Sequence, residues 1–336
     1  MKTRARLRTK FVNGRELLPL ALLLALCCGA SLTAAQQKRA WTQARAATGA
    51  GDFNAVFFVD ARRGWVAGDN GTVLRTTDEG ATWTTQALAG VESINDLYFR
   101  TKEDGCLVAG ASILCTEDGG ARWEQVERLE PSRFDGLTPD LLSISFANRR
   151  RGIAVGSLAR GDAVLASLVM RTEDGGRTWT RIEVPSKSEL IDVDFGSDER
   201  AIIVGADGTI LRTSDGGATW TPARAPSRAT LYGVEVRSQS AWAVGERGTI
   251  LRSTDAGVTW SVVPPLVRST LLGVRFVNDD DGFCVGRGGA ILATGDGGIT
   301  WRRQEAPAKQ NLYALHAAKE NVWAVGGGGI VMRYER

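Results

Sequence analysis

The chain has 336 residues, 43% of them hydrophobic and ten of them tryptophan, with a formal net charge of +3. That apolar content is ample for a packed core and excludes an intrinsically disordered chain. The positive balance is local: six of the 41 Lys+Arg and one of the 38 Asp+Glu precede residue 36, leaving 35 cations against 37 anions. Bulk charge therefore gives no case for nucleic acid.

Residues 1–35 read as a secretory signal. Six cations (Lys2, Arg4, Arg6, Arg8, Lys10, Arg15) precede an apolar run from Leu17 to Leu26, and small residues follow around Ala30–Ala35, with cleavage expected after Ala35. The run is shorter than the roughly 20 residues a transmembrane helix needs. Export to a periplasmic, thylakoid-lumenal or extracellular compartment is expected, with an uncleaved anchor as the alternative. Cys27–Cys28 raises lipidation, but Leu26 is bulky for such processing.

From Ala40 onward the chain is one repeat. The octapeptide [S/T]-x-D-x-G-x-[T/R]-W recurs at Thr76–Trp83, Thr116–Trp123, Thr172–Trp179, Thr213–Trp220, Ser253–Trp260 and Thr294–Trp301, with tryptophan spacings of 40, 56, 41, 40 and 41. Turn chemistry at a fixed phase of about 40 residues predicts four-stranded units repeated radially. Residues 231–264 are the cleanest copy, with strands expected at Leu231–Val236, Trp242–Gly245, Thr249–Arg252 and Trp260–Val263. A seventh unit is expected from the two ends. Ala40–Ala46 supplies its last strand, and Leu312–Tyr334 supplies the first three. The predicted fold is all-β, a seven-bladed propeller over 40–336 whose N- and C-terminal strands share the last blade.

Within the octapeptide, Asp78, Asp118, Asp174, Asp215, Asp255 and Asp296 are placed to accept backbone N–H groups of the turn, and the glycine takes positive φ. The closing tryptophan is expected to pack into the next blade. Cys106 and Cys115 flank the turn pair Gly110–Ala111 symmetrically, which sets them opposite each other on neighbouring strands. A disulfide and two unbonded buried cysteines are both compatible with that spacing. Cys284 falls at a core position equivalent to Val66, Ile203 and Ala243.

The first strands of the seven units start at Phe53, Ile94, Leu141, Leu190, Leu231, Leu271 and Leu312. Their third positions are small or acidic (Asp96, Ser143 and Asp192 among them). Their fifth positions are Phe57, Tyr98, Ser145, Asp194, Glu235, Arg275 and His316. Simple alternation puts positions one, three and five on a common face lining the central channel.

Catalytic signatures are sparse. A single histidine excludes a Cys/His zinc site, and no G-x-S-x-G elbow is present. Asp279–Gly282 lacks the ligand spacing of a calcium loop. The glycine clusters Gly286–Gly289 and Gly326–Gly329 open no helix. No metal, cofactor or catalytic residue is expected.

A cationic arc is expected instead. The residue three before each first strand is Lys187, Arg228, Arg268 and Lys309 in four consecutive units, and Arg247 and Arg287 lie on hairpin turns of the same face. Two insertions attributed to the third unit break the repeat there: a long connection before Leu141 carrying Arg128 and Arg133, and a twelve-residue turn between Gly156 and Val169 carrying Arg160. Repeat-breaking loops on one face are common partner sites.

The octapeptide resembles the Asp-box, or BNR, repeat of sialidases and other propellers, which implies that the boxes lie away from any ligand face. The longer pattern, nearly intact at Gly64–Trp83 and returning at Gly205–Trp220 and Gly245–Trp260, resembles the photosystem II stability/assembly factor family across residues 40–336. That resemblance implies a non-enzymatic lumenal or periplasmic propeller that binds membrane-protein assembly intermediates through a basic patch. The expected partner is a protein with an acidic segment, and the chain is expected to be a monomer that does not bind nucleic acid. The alternatives are a sialidase-like hydrolase using Asp192, Asp194 and Glu235, and an extracellular display module.

Overall fold

The computed structural model describes residues 40–45, 51–319 and 321–335; the expected signal segment lies outside them. Seven four-stranded antiparallel sheets form seven blades. Their inner strands are Phe53–Phe58, Asp96–Phe99, Thr138–Phe146, Leu190–Phe195, Leu231–Arg237, Leu271–Phe276 and Leu312–Ala318. In blade 5 the second to fourth strands are Ser240–Gly245, Ile250–Ser253 and Ser261–Val263, within two residues of the sequence expectation. Blade 7 joins the chain ends: Trp41–Arg45 pairs antiparallel with Ile330–Tyr334, Trp41 opposite Tyr334.

The core is seven separate cores, one in each seam between neighbouring blades. Ile153, Val155 and Val169 of blade 3 meet Leu190, Val193 and Leu211 of blade 4 in one of them. Aromatic rings at the end of the inner strands stack on the second-strand tryptophan of a neighbouring or preceding blade, as Trp65 on Phe99 at 3.5 Å and Trp323 on Phe58 at 4.5 Å. Such burial, rather than any single contact, is the main favourable term holding the ring.

The octapeptide closes the outer turn in one way in five of its six copies; in blade 2 Arg122 replaces the threonine before the tryptophan, and Asp118 accepts only its N–H. In blade 4 the Thr213 hydroxyl donates to Asp215 at 2.7 Å and accepts the Gly217 N–H at 3.1 Å; the Asp215 carboxylate also accepts the Thr219 N–H and hydroxyl at 3.0 and 2.6 Å. Burial is the largest single influence on the Asp215 carboxyl and raises it, but these bonds together outweigh it and draw the carboxyl down to about 2. The tryptophan does not pack into the following blade. Trp220 joins the seam with the preceding blade, and Trp83 sits edge-on to Trp323 at 6.2 Å. The side chain leaves the outer strand on the side where the preceding blade's second strand offers its apolar slot.

A candidate binding face and a charged channel

Two rims result. The Asp-box turns bond to the first-to-second strand turns, as Gly216 N–H to the Glu199 carbonyl at 2.8 Å. On the other rim, the second-to-third strand turns bond to the blade connections, as Glu246 N–H to Thr230 and Arg287 N–H to Thr270.

The cations of the expected arc belong to this second rim. Gly208, at φ +71°, lies against the next connection so closely that a Cβ there would fall 3.1 Å from the Arg228 Cα. The Arg247–Gly248 turn abuts Val267, next to Arg268, and the Arg287–Gly289 turn abuts Ala308–Lys309. Lys187 follows blade 3, beside Ser188, whose carbonyl accepts the Ser167 hydroxyl at 2.6 Å. Lys187, Arg228, Arg247, Arg268, Arg287 and Lys309 are all exposed, and none forms an ion pair with another described residue. The arc is flanked on the blade 3–blade 4 side by Asp140 and Glu189, whose carboxyls are raised by burial; the Asp140 charge raises Glu189 further.

The insertion arginines divide. Arg128 is the last residue of blade 2's outer strand, not part of blade 3, and pairs with Glu130 at 2.8 Å. Arg133 pairs with Glu127 at 2.8 Å and lies over the Phe134 ring. Both charges are answered locally. Arg160 is exposed and has no ion pair with a described residue. Its surroundings are not a long loop: strands Gly152–Arg160 and Ala163–Thr172 continue past the blade and turn at Gly161–Asp162. The two insertions pack on each other, Leu129 and Phe134 against Leu158 and Leu168. Apolar residues on both strands keep the hairpin paired where a polar turn would have opened.

The channel wall departs from simple alternation. A register shift between positions one and three of the inner strand occurs in six blades, as between Leu190 and Asp192 or Leu271 and Gly273. The extra residue of this bulge turns position one into the seams, where Leu141, Leu190, Leu231, Leu271 and Leu312 are buried, and brings position two to the channel mouth. Position two of every blade, Asn54, Asn95, Leu142, Ile191, Tyr232, Leu272 and Tyr313, lines a cavity of about 450 Å³, together with most residues of positions three and five, Asp96, Ser143, Asp192, Asp194, Arg275 and His316 among them. The polar and aromatic character of Asn54, Asn95, Tyr232 and Tyr313 was the available signal.

Inside, one cation faces several acids. Arg275 donates to the Val234 and Val274 carbonyls at 2.8 and 2.9 Å. Burial works against its charge, but Asp194, Asp192, Glu235 and Asp96 outweigh that and hold it protonated. Each carboxylate is also tied to the backbone of the following blade. Asp192 accepts the Val234 N–H and Asp194 the Val236 N–H, both at 2.8 Å, and Glu235 accepts that of Phe276. Burial lifts Asp194 to about 6 and Glu235 to about 8, partly offset in each by Arg275. His316 Nε2 lies 2.9 Å from the Phe58 carbonyl; burial, then the Arg275 charge, lower its pKa to about 3, so the ring is neutral. Tyr232 lines the cavity whereas Glu235 does not, so the pair a sialidase would need is not assembled there. Among the described residues no group of three His, Cys, Asp or Glu is placed to hold a metal ion.

The model of the photosystem II assembly factor YCF48 family matches residues 33–131, 177–266 and 264–335. The chain belongs to this family. No curated protein matches it in sequence. Among solved structures, a YCF48 bound to a D1 peptide is 21% identical over 89% of this chain and 95% of its own, with a TM-score of 0.70. YCF48 from Cyanidioschyzon merolae is 19% identical over 88% of this chain and 98% of its own, also at 0.70. A catalytically inactive virginiamycin B lyase from Staphylococcus aureus, solved with quinupristin, reaches 0.71 at 13% identity, covering 88% and 99%. At these identities the structures establish a shared propeller fold. Propellers of this shape include enzymes, so shape alone does not separate binding from catalysis.

Proposed function

We propose that this YCF48-family propeller is a non-enzymatic, exported binding platform that holds an acidic segment of a membrane-protein partner during assembly of a membrane complex. The observation that carries the reading is the arc of six exposed, unpaired cations on the connection rim. Family membership supports a protein partner, and the solved YCF48 with a D1 peptide shows that a propeller of this fold can take one. Carboxylates of the partner would form charge-assisted bonds with Arg228, Arg247, Arg268 and Arg287, and the field of the arc would steer the encounter. The wall acids support a binding rather than hydrolytic reading, because Asp192, Asp194 and Glu235 are each engaged by a backbone N–H of the next blade.

The test is a cross-linked pull-down from host membranes with the protein and with Lys187/Arg228/Arg268/Lys309→Ala. Recovery of a defined membrane protein by the first and not the second supports the arc. Equal recovery by both rejects the arc as the working face, and turnover of a glycoside panel would reject the non-enzymatic reading.

A further inference from the structure

The seams are built to one plan, with two exceptions. In five blades one second-strand residue faces a third-strand arginine: Trp65 and Arg75, Ile153 and Arg171, Ile202 and Arg212, Trp242 and Arg252, Trp323 and Arg333. Blade 6 has Phe283 opposite Ala293 instead, and it faces blade 7, which carries no octapeptide. The second-strand member packs on the second box glycine of the following blade. A Cβ on Gly120 would meet Trp65, one on Gly217 Ile153, one on Gly257 Ile202, and one on Gly298 Trp242, all within 3.1 Å. In four seams the pair also donates to the box carbonyl before that glycine. Trp65 and Arg75 bond Gly119, Arg171 bonds Gly216, Trp242 and Arg252 bond Gly297, and Arg333 bonds Glu79.

Blade 2 has Cys106 and Cys115 in these two places, directly opposite and disulfide-bonded. Both sulfurs face Gly176 of the blade 3 box, 2.9 and 3.2 Å from where its Cβ would be. A disulfide donates no hydrogen bond, and here Arg100, from the end of the inner strand, bonds the Gly175 carbonyl while lying over the Phe146 ring.

We propose that the Cys106–Cys115 disulfide is a thiol-exchange site that governs the blade 2–blade 3 seam, its reaction partner being a dithiol. Cys106 is fully buried and Cys115 is half-buried, so attack falls on the Cys115 sulfur. One thiolate of the dithiol forms a mixed disulfide with Cys115, and Cys106 leaves as thiolate and takes a proton. The second thiol of the reductant then displaces Cys115, so two electrons and two protons pass to the pair and the dithiol becomes a disulfide. Two separate thiols need more room than the bonded pair, and the wall of the slot is Gly176. Reduction therefore loosens the box that Thr172 and Asp174 close, and with it the root of the hairpin carrying Arg160.

The experiment is hydrogen exchange on the native protein with and without dithiothreitol, with alkylation and peptide mapping to report the state of Cys106 and Cys115. The expected result is reduction without denaturant, faster exchange confined to residues 172–179 and their seam, and a Tm lower by about 5 °C. Cys106→Ser/Cys115→Ser should show the same exchange without reductant and no response to it. Cys106→Trp/Cys115→Arg, which restores the pair used elsewhere, should be indifferent to dithiothreitol. A bond that resists the reductant until the protein unfolds overturns the proposal. So does complete reduction with unchanged exchange and Tm; the native protein alone decides both if the variants do not fold.

Discussion

Asp96 and Asp192, on the inner strands of blades 2 and 4, share one hydroxyl: Ser143 Oγ lies 2.9 Å from a carboxylate oxygen of each. A hydroxyl has one proton to donate. It can serve both only if one carboxyl is itself protonated and donates to Ser143. Burial and the neighbouring Asp192 charge raise Asp96 to about 7, which marks it as the protonated member.

The sign of the pH dependence follows. An Asp in the unfolded chain titrates near 3.9. Between about pH 4 and 8 the folded protein holds protons on Asp96, Asp194 and Glu235 that the unfolded chain has released, so stability rises as pH falls through that window. His316 opposes this below about 6.5, because its folded pKa is lowered and it resists the proton the unfolded chain takes up. Three carboxyls outweigh one imidazole until Asp78, Asp174, Asp215, Asp255 and Asp296, drawn to about 2, are protonated and lose their contribution below about pH 4. Tm should be higher at pH 5 than at pH 8. Asp96→Asn, whose amide can donate to Ser143, should flatten the slope. A Tm that climbs from pH 5 to 8 in both proteins contradicts the shared-proton account.

The box turn depends more on its threonine than on its exposed carboxylate. Thr213 is 5% exposed and accepts the buried Gly217 N–H. Thr213→Val keeps the shape and removes the acceptor, so a cost of about 1–3 kcal/mol is expected from the unpaired donor. Chemical denaturation should show a lower midpoint with unchanged slope. An unchanged midpoint would mean that the turn is held by packing alone.

The connection rim leaves no room for a side chain at Gly248. Its φ is +74°, and a Cβ would fall 1.9 Å from the Val267 carbonyl oxygen. Gly248→Ala should destabilise by more than the roughly 1–3 kcal/mol of a strained backbone alone, because the connection bearing Arg268 must also move. A thermal melt checks this, and a Tm within a degree of the parent would contradict the close approach.

Much of this architecture was legible because it repeats. Six boxes at a fixed phase define blades, and Trp41 at one repeat before Trp83 assigns the closing strand. The opposition of Cys106 and Cys115 followed from a two-residue turn. What escaped was the consequence of one extra residue. The bulge between Leu190 and Asp192, like its five counterparts, is invisible to a period-two reading, yet it exchanges positions one and two between seam and channel. The direction of Trp220 was hidden as well, since a repeat marks a packing position without saying which neighbour fills it. Arg128 and Arg133 looked free because the acids that answer them, Glu130 and Glu127, lie in the same insertion and its flank and carry no mark of pairing.

The central claim is that the cationic arc is the face that grips an acidic chain. The most direct measurement is fluorescence anisotropy of a labelled Glu-rich peptide and its Gln counterpart at 50 and 500 mM NaCl, with the protein and with Lys187/Arg228/Arg268/Lys309→Ala. The account predicts binding of the acidic peptide only, weakened at least about tenfold by the higher salt and by the four substitutions. Equal affinity for both peptides, or acidic-peptide binding that survives salt and the loss of all four cations, would contradict it.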